Sequence, residues 1–307
     1  MGRFEERASK PARGPRDIFR WKFGKKPDRR ADWDAIDAVR PTIVDGAATA
    51  LASGDPVAVW VGHATWALRL GGQLVVIDPI WSTNIGGVTP RLVAPGLPIA
   101  ALPAPDLVLV THDHRDHMDL PTLRELPDSA TYIVPLGNAS RLSHPNVIEL
   151  DWWQTHVHGG LEITLVPARH WSMRMPWNRN DTLWGGYVIR GPEDVAYHAG
   201  DTAWGEHFAE IAAKVGVIDW AMLPIGGYAP RWFMEPQHID PDEAAAAFTQ
   251  LGARNLLAMH WGTFRLTDEA VGEPPERLRA WWAAHALPAS RLWILGVGEA
   301  RSLSAPL

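Results

Sequence analysis

The stretch "LVLVTHDHRDHMDL", residues 107–120, does most to limit what this chain can become. Leu107 to Thr111 read as a buried strand, and His112, His114, Asp116 and His117 crowd onto its end. In extended backbone, residues two apart point the same way, so His112 and His114 share a face. Asp116 and His117 follow within one turn and can face the same point from the other side. Imidazole and carboxylate at this density suit zinc, iron or manganese. A solvated surface cluster would have no reason to follow a buried strand so closely.

Other strand-like runs end in the same way. "LEITLVPA" (161–168) stops just before His170, "EDVAYHA" (193–199) just before Gly200-Asp201, and "NLLAM" (255–259) at His260. Helical segments fall between them, over roughly 119–126, 206–214, 241–251 and 274–285. Upstream, "VAVWVGHATWALRLGGQLVVIDP" predicts two or three strands from residue 57, with Gly71-Gly72 as a hairpin turn. Residues 33–53 show patchy helical spacing broken at Pro41, and residues 82–105 read as loop. Hairpins first and strand–helix alternation later predict layered sheets with helices outside, in one domain over 33–307.

Composition narrows the chemistry. The chain has no cysteine, which removes thiolate nucleophiles and Cys-based zinc sites and leaves nitrogen and oxygen to hold any metal. There is no Gly-x-Ser-x-Gly, P-loop or dinucleotide fingerprint. The net charge of −6 is uneven: residues 1–30 hold 11 Lys or Arg against 4 Asp or Glu, an excess of +7 that leaves −13 on the remainder. An acidic body argues against nucleic acid as a partner. Residues 1–32 read as a basic, mostly irregular and flexible leader. Within it, "DIFRWKFGKK" mixes aromatic and basic residues, as an interfacial segment does. With no run long enough to span a bilayer and no apolar signal-peptide core, the expectation is a cytoplasmic protein. The leader could still bring it to the inner membrane surface.

The motifs together resemble a known family. "WVGHAT", "DPIWS", "THDHRDH", "VIELDWW", "LWGGYV", "AGDT", "LPIGGYAPRWFM", "QHIDPDEA", "MHWGTF" and "EPP" are similar to the N-acyl-phosphatidylethanolamine-hydrolysing phospholipase D family of the metallo-β-lactamase fold superfamily. The resemblance runs from about residue 57 to 303. It implies an α+β fold, a four-layer αββα sandwich of two mixed sheets with helices outside. It also implies two divalent metal ions, zinc ahead of manganese or iron. His112, His114 and His170 would hold one ion, Asp116, His117 and His260 the other, with Asp201 bridging. The bridging pair would activate water for attack. The resemblance also makes a homodimer unsurprising.

Further residues complete the candidate site. Asp116, Asp201 and His238 are the catalytic candidates, His238 through orientation of the leaving group or stabilisation of the charged transition state. Asp78 and His63 would orient ligands from behind, as outer hydrogen-bond partners do. Gln237, Tyr228 and Arg231 are candidates for substrate contact, the last two for an anionic head group. Among the 17 tryptophans, Trp171, Trp177 and Trp232 sit beside the candidate chemistry and could line an apolar pocket. His198, inside a strand, reads as a core residue. Two hydrolases fit these residues: a phospholipase D-type phosphodiesterase acting on N-acyl phosphatidylethanolamine-like lipids, or a lactonase or amidohydrolase acting on a small soluble molecule.

Overall fold

The computed structural model describes residues 2–11, 13–26 and 29–304. Its strands are β1 (Val57–Gly62), β2 (Thr65–Leu70), β3 (Gln73–Ile77), β4 (Asn84–Ile85), β5 (Thr89–Pro90), β6 (Leu107–Leu109), β7 (Thr131–Pro135) and β8 (Val147–Leu150). The second half adds β9 (Thr155–His158), β10 (Leu161–Val166), β11 (Gly186–Arg190), β12 (Val195–His198), β13 (Trp220–Pro224), β14 (Asn255–Met259), β15 (Leu292–Trp293) and β16 (Ala300–Ser302). The helices are α1 (Pro15–Phe23), α2 (Trp33–Asp37), α3 (Ala47–Ala52), α4 (Leu120–Glu125), α5 (His207–Val215), α6 (Arg231–Met234), α7 (Pro241–Leu251) and α8 (Glu273–Ala284).

Two seven-stranded sheets form, in the orders β16-β1-β2-β3-β6-β7-β8 and β15-β14-β13-β12-β11-β10-β9. Each is antiparallel through its hairpin-linked strands and parallel where crossovers return, from β3 to β8 in one and from β12 to β15 in the other. Side-chain alternation explains the layering. On β1, Ala58 and Trp60 join the core between the sheets, whereas Val57, Val59 and Val61 pack outward with Ala47 and Leu51 of α3. Val108, Tyr132 and Val134 likewise turn outward to Leu123 of α4. The small face of α7 (Ala244, Ala245, Ala247) lets it lie close on the second sheet, where Phe248 meets Trp282 of α8. The result is the helix–sheet–sheet–helix sandwich that the motifs imply.

The boundaries differ by a residue or two. β6 stops at Leu109, so Thr111 and His112 already lie beyond the strand. Pro41 separates α2 from α3, and the expected loop over 82–105 holds the small hairpin β4–β5.

The stretch expected as an irregular leader departs more. It contains α1 and docks on the domain. Phe4 and Ala8 are buried, the Phe4 amide donates to Asn180 O at 2.8 Å, and the Ser9 amide to His170 O at 3.0 Å. Trp21 packs on Phe233 with ring centroids 4.8 Å apart and donates to Asp268. The basic residues find carboxylates, Arg7 with Asp151 and Lys26 with Asp268. Charge excess therefore does not mark this segment as detached.

Candidate metal centre

The loops that leave β6, β10, β12 and β14 converge at one end of the sandwich. From the first come His112, His114, Asp116 and His117; from the others come His170, Asp201 and His260. Two groups of donors result, each with its ligand atoms within 4.8 Å of one another: His112, His114, His170 and Asp201, and His63, Asp116, His117 and His260.

In the first group, His114 Nδ1 lies 2.9 Å from His112 Nε2 and 3.2 Å from His170 Nε2. In the second, Asp116 Oδ2 lies 3.6 Å from His117 Nε2 and 3.8 Å from His260 Nε2. Asp201 stands between the groups. Its Oδ2 is 3.2 Å from His117 Nε2 and 3.8 Å from His170 Nε2, and its Oδ1 is 3.2 Å from His260 Nε2.

Partners behind the rings set which nitrogen faces inward. Asp78, fully buried at the end of β3, accepts from the Thr111 amide and hydroxyl at 2.7 Å each. Its Oδ2 also lies 2.7 Å from His117 Nδ1, which turns Nε2 toward the centre. Thr111 Oγ1 contacts His112 Nδ1 at 3.0 Å, and Gln237 O contacts His170 Nδ1 at 3.0 Å. His63 comes closer than an outlying partner would: its Nε2 is 3.0 Å from Asp116 Oδ2. Gly227, in "LPIGGYAP", takes φ +85°, and a Cβ there would fall 3.2 Å from the His260 ring and 3.4 Å from His238 Nδ1. The second glycine of that pair keeps the space between two imidazoles open.

Electrostatics sharpen the picture. Burial first, then repulsion from neighbouring rings, pushes His112 well below the ordinary histidine range. Burial also lowers His63 and His114 to about 4, and His170 and His238 to about 3. Burial opposes charge on His117 and His260 as well, but Asp201 and Asp116 outweigh it, raising His117 well above its usual value and His260 to about 9. With only protein groups acting on them, protons on these two rings offset the paired carboxylates.

That arrangement leaves buried polar atoms without hydrogen-bond partners: His114 Nε2, His117 Nε2, Asp201 Oδ1, His238 Nδ1, and both nitrogens of His260. Burying such groups unsatisfied costs several kcal/mol in total, on the order of 1–3 kcal/mol each. Divalent cations at the two convergence points would satisfy His117 Nε2, Asp201 Oδ1 and His260 Nε2, and a thiolate-free set of imidazoles and carboxylates fits zinc, manganese or iron.

A pocket of about 440 Å³ opens onto His114, Asp116, Asp201, His238 and His260. Its walls are largely apolar: Ile18 and Trp21 from α1, with Trp171, Met173, Phe233 and Leu266. Gln237 also lines it, although its side-chain amide contacts only Met234 Sδ at 3.4 Å. The other expected substrate contacts lie elsewhere. The Tyr228 hydroxyl is buried and donates to Glu273 at 2.6 Å. The Arg231 guanidinium spans Glu243 at 2.9 and 3.0 Å and donates to His238 O at 2.8 Å. Neither polar end is free for a head group. Trp177 is 76% exposed and outside the pocket, and Trp232 packs under Arg20. His198 is a core residue bonded to Ala64 O at 2.9 Å. Ile18 and Trp21 escaped the sequence reading as wall residues; their only signal was apolar side chains within a basic run.

Comparison with known proteins agrees with this fold. Residues 73–261 match the family model described as "Beta-lactamase superfamily domain". An uncharacterized protein of Mycobacterium tuberculosis is 39% identical over 80% of this chain and 68% of its own length. N-acyl-phosphatidylethanolamine-hydrolyzing phospholipase D 1 of Caenorhabditis elegans is 34% identical over 72% of this chain and 68% of its own. A UPF0173 metal-dependent hydrolase of Nitratidesulfovibrio vulgaris is 31% identical over 80% and 94%. Among solved structures, the isothiocyanate hydrolase from Delia radicum gut bacteria superposes with a TM-score of 0.66 at 20% identity, over 81% of this chain and 100% of that one.

Proposed function

Because the chain belongs to the beta-lactamase superfamily and is a metal-dependent hydrolase, we propose that it is a two-metal phosphodiesterase of phospholipase D type, acting on N-acyl phosphatidylethanolamine-like lipids. The observation that carries the proposal is the pocket, where an apolar wall leads directly to the donor groups. An acyl chain can lie against Trp21, Phe233 and Leu266 while the phosphodiester reaches His114, Asp116 and His260. The similarity to the worm phospholipase D supports the same reading.

In this reading His112, His114, His170 and Asp201 would hold one cation, and Asp116, His117, His260 and Asp201 the other. Two divalent cations, zinc in first place, would supply Lewis acidity that activates water near neutral pH. The protein's own groups do the rest. Asp78, Thr111 and Gln237 O hold the rings so that their lone pairs face inward. His238, neutral and with an unpartnered Nδ1 that lies 3.9 Å from Asp201, can donate to a phosphoryl oxygen as charge builds there. The apolar wall excludes water from the scissile bond. Hydrolysis would exchange the phosphorus–oxygen bond to the head group for one to the oxygen of water, whose proton passes to the leaving alkoxide, so the products would be a phosphate monoester and an alcohol.

Outside the pocket, α1 turns Phe19 and Phe23 to solvent at 66% and 76% exposure, with Arg16, Lys22, Lys25 and Lys26 nearby in sequence. This surface would rest on an anionic membrane and bring the pocket mouth to its substrate. The deciding experiment is turnover of a panel of N-acyl phospholipids, short phosphodiesters, lactones and amides by metal-loaded protein. The long-chain phosphodiester should lead in kcat/KM. A lactone or amide that outcompetes every phosphodiester would replace the proposal with the small-molecule reading.

A further inference from the structure

A second cavity, of about 480 Å³, lies beside the first, between the β4–β5 hairpin and the start of α4. Arg115 and Arg174 line both cavities. Arg115 is the residue of "HDHRDH" that points away from the donor groups into this junction, whereas Asp113 turns back to pair with Arg141 at 2.9 Å. Gly86, at φ +59°, comes so close that a Cβ on it would lie 3.1 Å from Arg115 Cδ, so the hairpin holds the arginine's methylenes. The guanidinium reaches only the Arg174 carbonyl at 3.4 Å and Met175 Sδ at 3.7 Å. Arg174 donates to the carbonyls of Asp113 and Met118 at 3.0 and 2.8 Å. Among the described residues, neither guanidinium has a carboxylate within ion-pair distance. The acids nearby are otherwise placed: Asp119 accepts from the hydroxyls of Ser82 and Thr122, each at 2.6 Å, and Glu125 is exposed at the rim. Burial, and then the charge of Arg115, brings Arg174 down to about 10.

Two adjacent cations without a direct ion pair repel each other; the charges of Asp113 and Asp119 offset part of that cost for Arg174, and an anion shared between the guanidiniums would offset it directly. Guanidinium forks match the oxygens of phosphate and carboxylate. We propose that Arg115 and Arg174 seat a second anionic group, a phosphate or carboxylate, carried by a substrate whose scissile bond lies at the donor groups. The preferred substrates then bear an ionised group besides the one that is cleaved, as an N-acyl phospholipid with a carboxylate in its head group does and N-acyl phosphatidylethanolamine itself does not. This rests on the hydrolytic reading of the donor groups but not on the bond being a phosphodiester.

The test is calorimetric binding of straight-chain alkanediol monophosphates and bisphosphates, two to six carbons long, to metal-loaded protein. The chain length that matches the spacing should give a bisphosphate binding at least about tenfold tighter than its monophosphate. Arg115→Gln should abolish that gain while leaving metal content and monophosphate affinity unchanged. Arg115 is the residue to change, because Arg174 also ties the metal loop together. A series in which no bisphosphate gains, or a gain that survives Arg115→Gln, overturns the proposal. A second equivalent of monophosphate binding with no gain for any bisphosphate assigns the seat to free phosphate and overturns it too. Failure of the phosphodiester reading looks different: no diester is hydrolysed, yet the bisphosphate gain persists.

Discussion

Asp201 lies within 3.9 Å of nitrogens on His112, His117, His170, His238 and His260, so its charge acts on nearly every ring of the centre. Asp201→Asn should therefore cost more activity than His170→Ala, which removes one neutral ligand. Both should fall at least about a hundredfold in kcat/KM, the size of effect expected from a principal electrostatic group. Equal activity in Asp201→Asn and the unmodified protein would show that this carboxylate does not serve the chemistry. Histidine titration gives a second prediction. His260, raised to about 9, is protonated below that pH, and a metal can bind only its neutral form. Metal affinity should weaken as pH falls from 9 toward 6, and zinc uptake near pH 7 should release protons, measurable by titration calorimetry in buffers of different ionisation enthalpy. The convergence of these donors was legible because each group follows a β-run in the sequence. The pairings of Tyr228 and Arg231 were not legible because their partners, Glu273 and Glu243, lie 45 and 12 residues away. Periodicity says nothing of such pairs.

At the scale of elements, the ends of three strands carry the unusual backbone. His63, Asp78 and His260 take φ of +54°, +46° and +63°, directly after β1, β3 and β14. Left-handed conformations cost non-glycine residues about 1 kcal/mol or more each, and here they turn side chains into the centre where a continuing strand would point them away. No sequence pattern announces that twist, whereas helix α7 could be read to the residue. Its start is a capping box: Asp240 accepts from the Glu243 amide at 2.9 Å, and Glu243 accepts from the Asp240 amide at 3.0 Å. Pro241 opens the helix and Gly252 ends it in the left-handed region. Asp240→Ala should lower stability by about 1–2 kcal/mol, since Asp240 also pairs with Arg277 at 3.0 Å. Urea unfolding checks this; an unchanged midpoint would mean that the cap is redundant.

Over the whole molecule, the N-terminal stretch and the domain are one folded body around the pocket mouth, which composition hid because the stretch is so basic. Phe19 and Phe23 pack on each other, ring centroids 4.9 Å apart, and stand exposed. Replacing both with serine should leave turnover of a short soluble phosphodiester intact. It should weaken binding to anionic vesicles more than tenfold, each ring contributing about 1 kcal/mol when half immersed. Sedimentation with vesicles measures it, and undiminished binding would move the membrane surface elsewhere. The division of the donors has a mechanical outcome. His112, His114, Asp116 and His117 belong to one sheet, and His170, Asp201 and His260 to the other, so each cation would rivet two slabs that otherwise meet through side-chain packing and scattered hydrogen bonds, such as those from the Tyr187 hydroxyl to Val110 O and Ile133 O at 3.0 Å each. The thermal midpoint should then track metal supply, with roughly 4 kcal/mol gained at a thousandfold excess over Kd. Chelation should drop that midpoint and open the catalytic end of the sandwich, with the far end still closed, to protease and to hydrogen exchange.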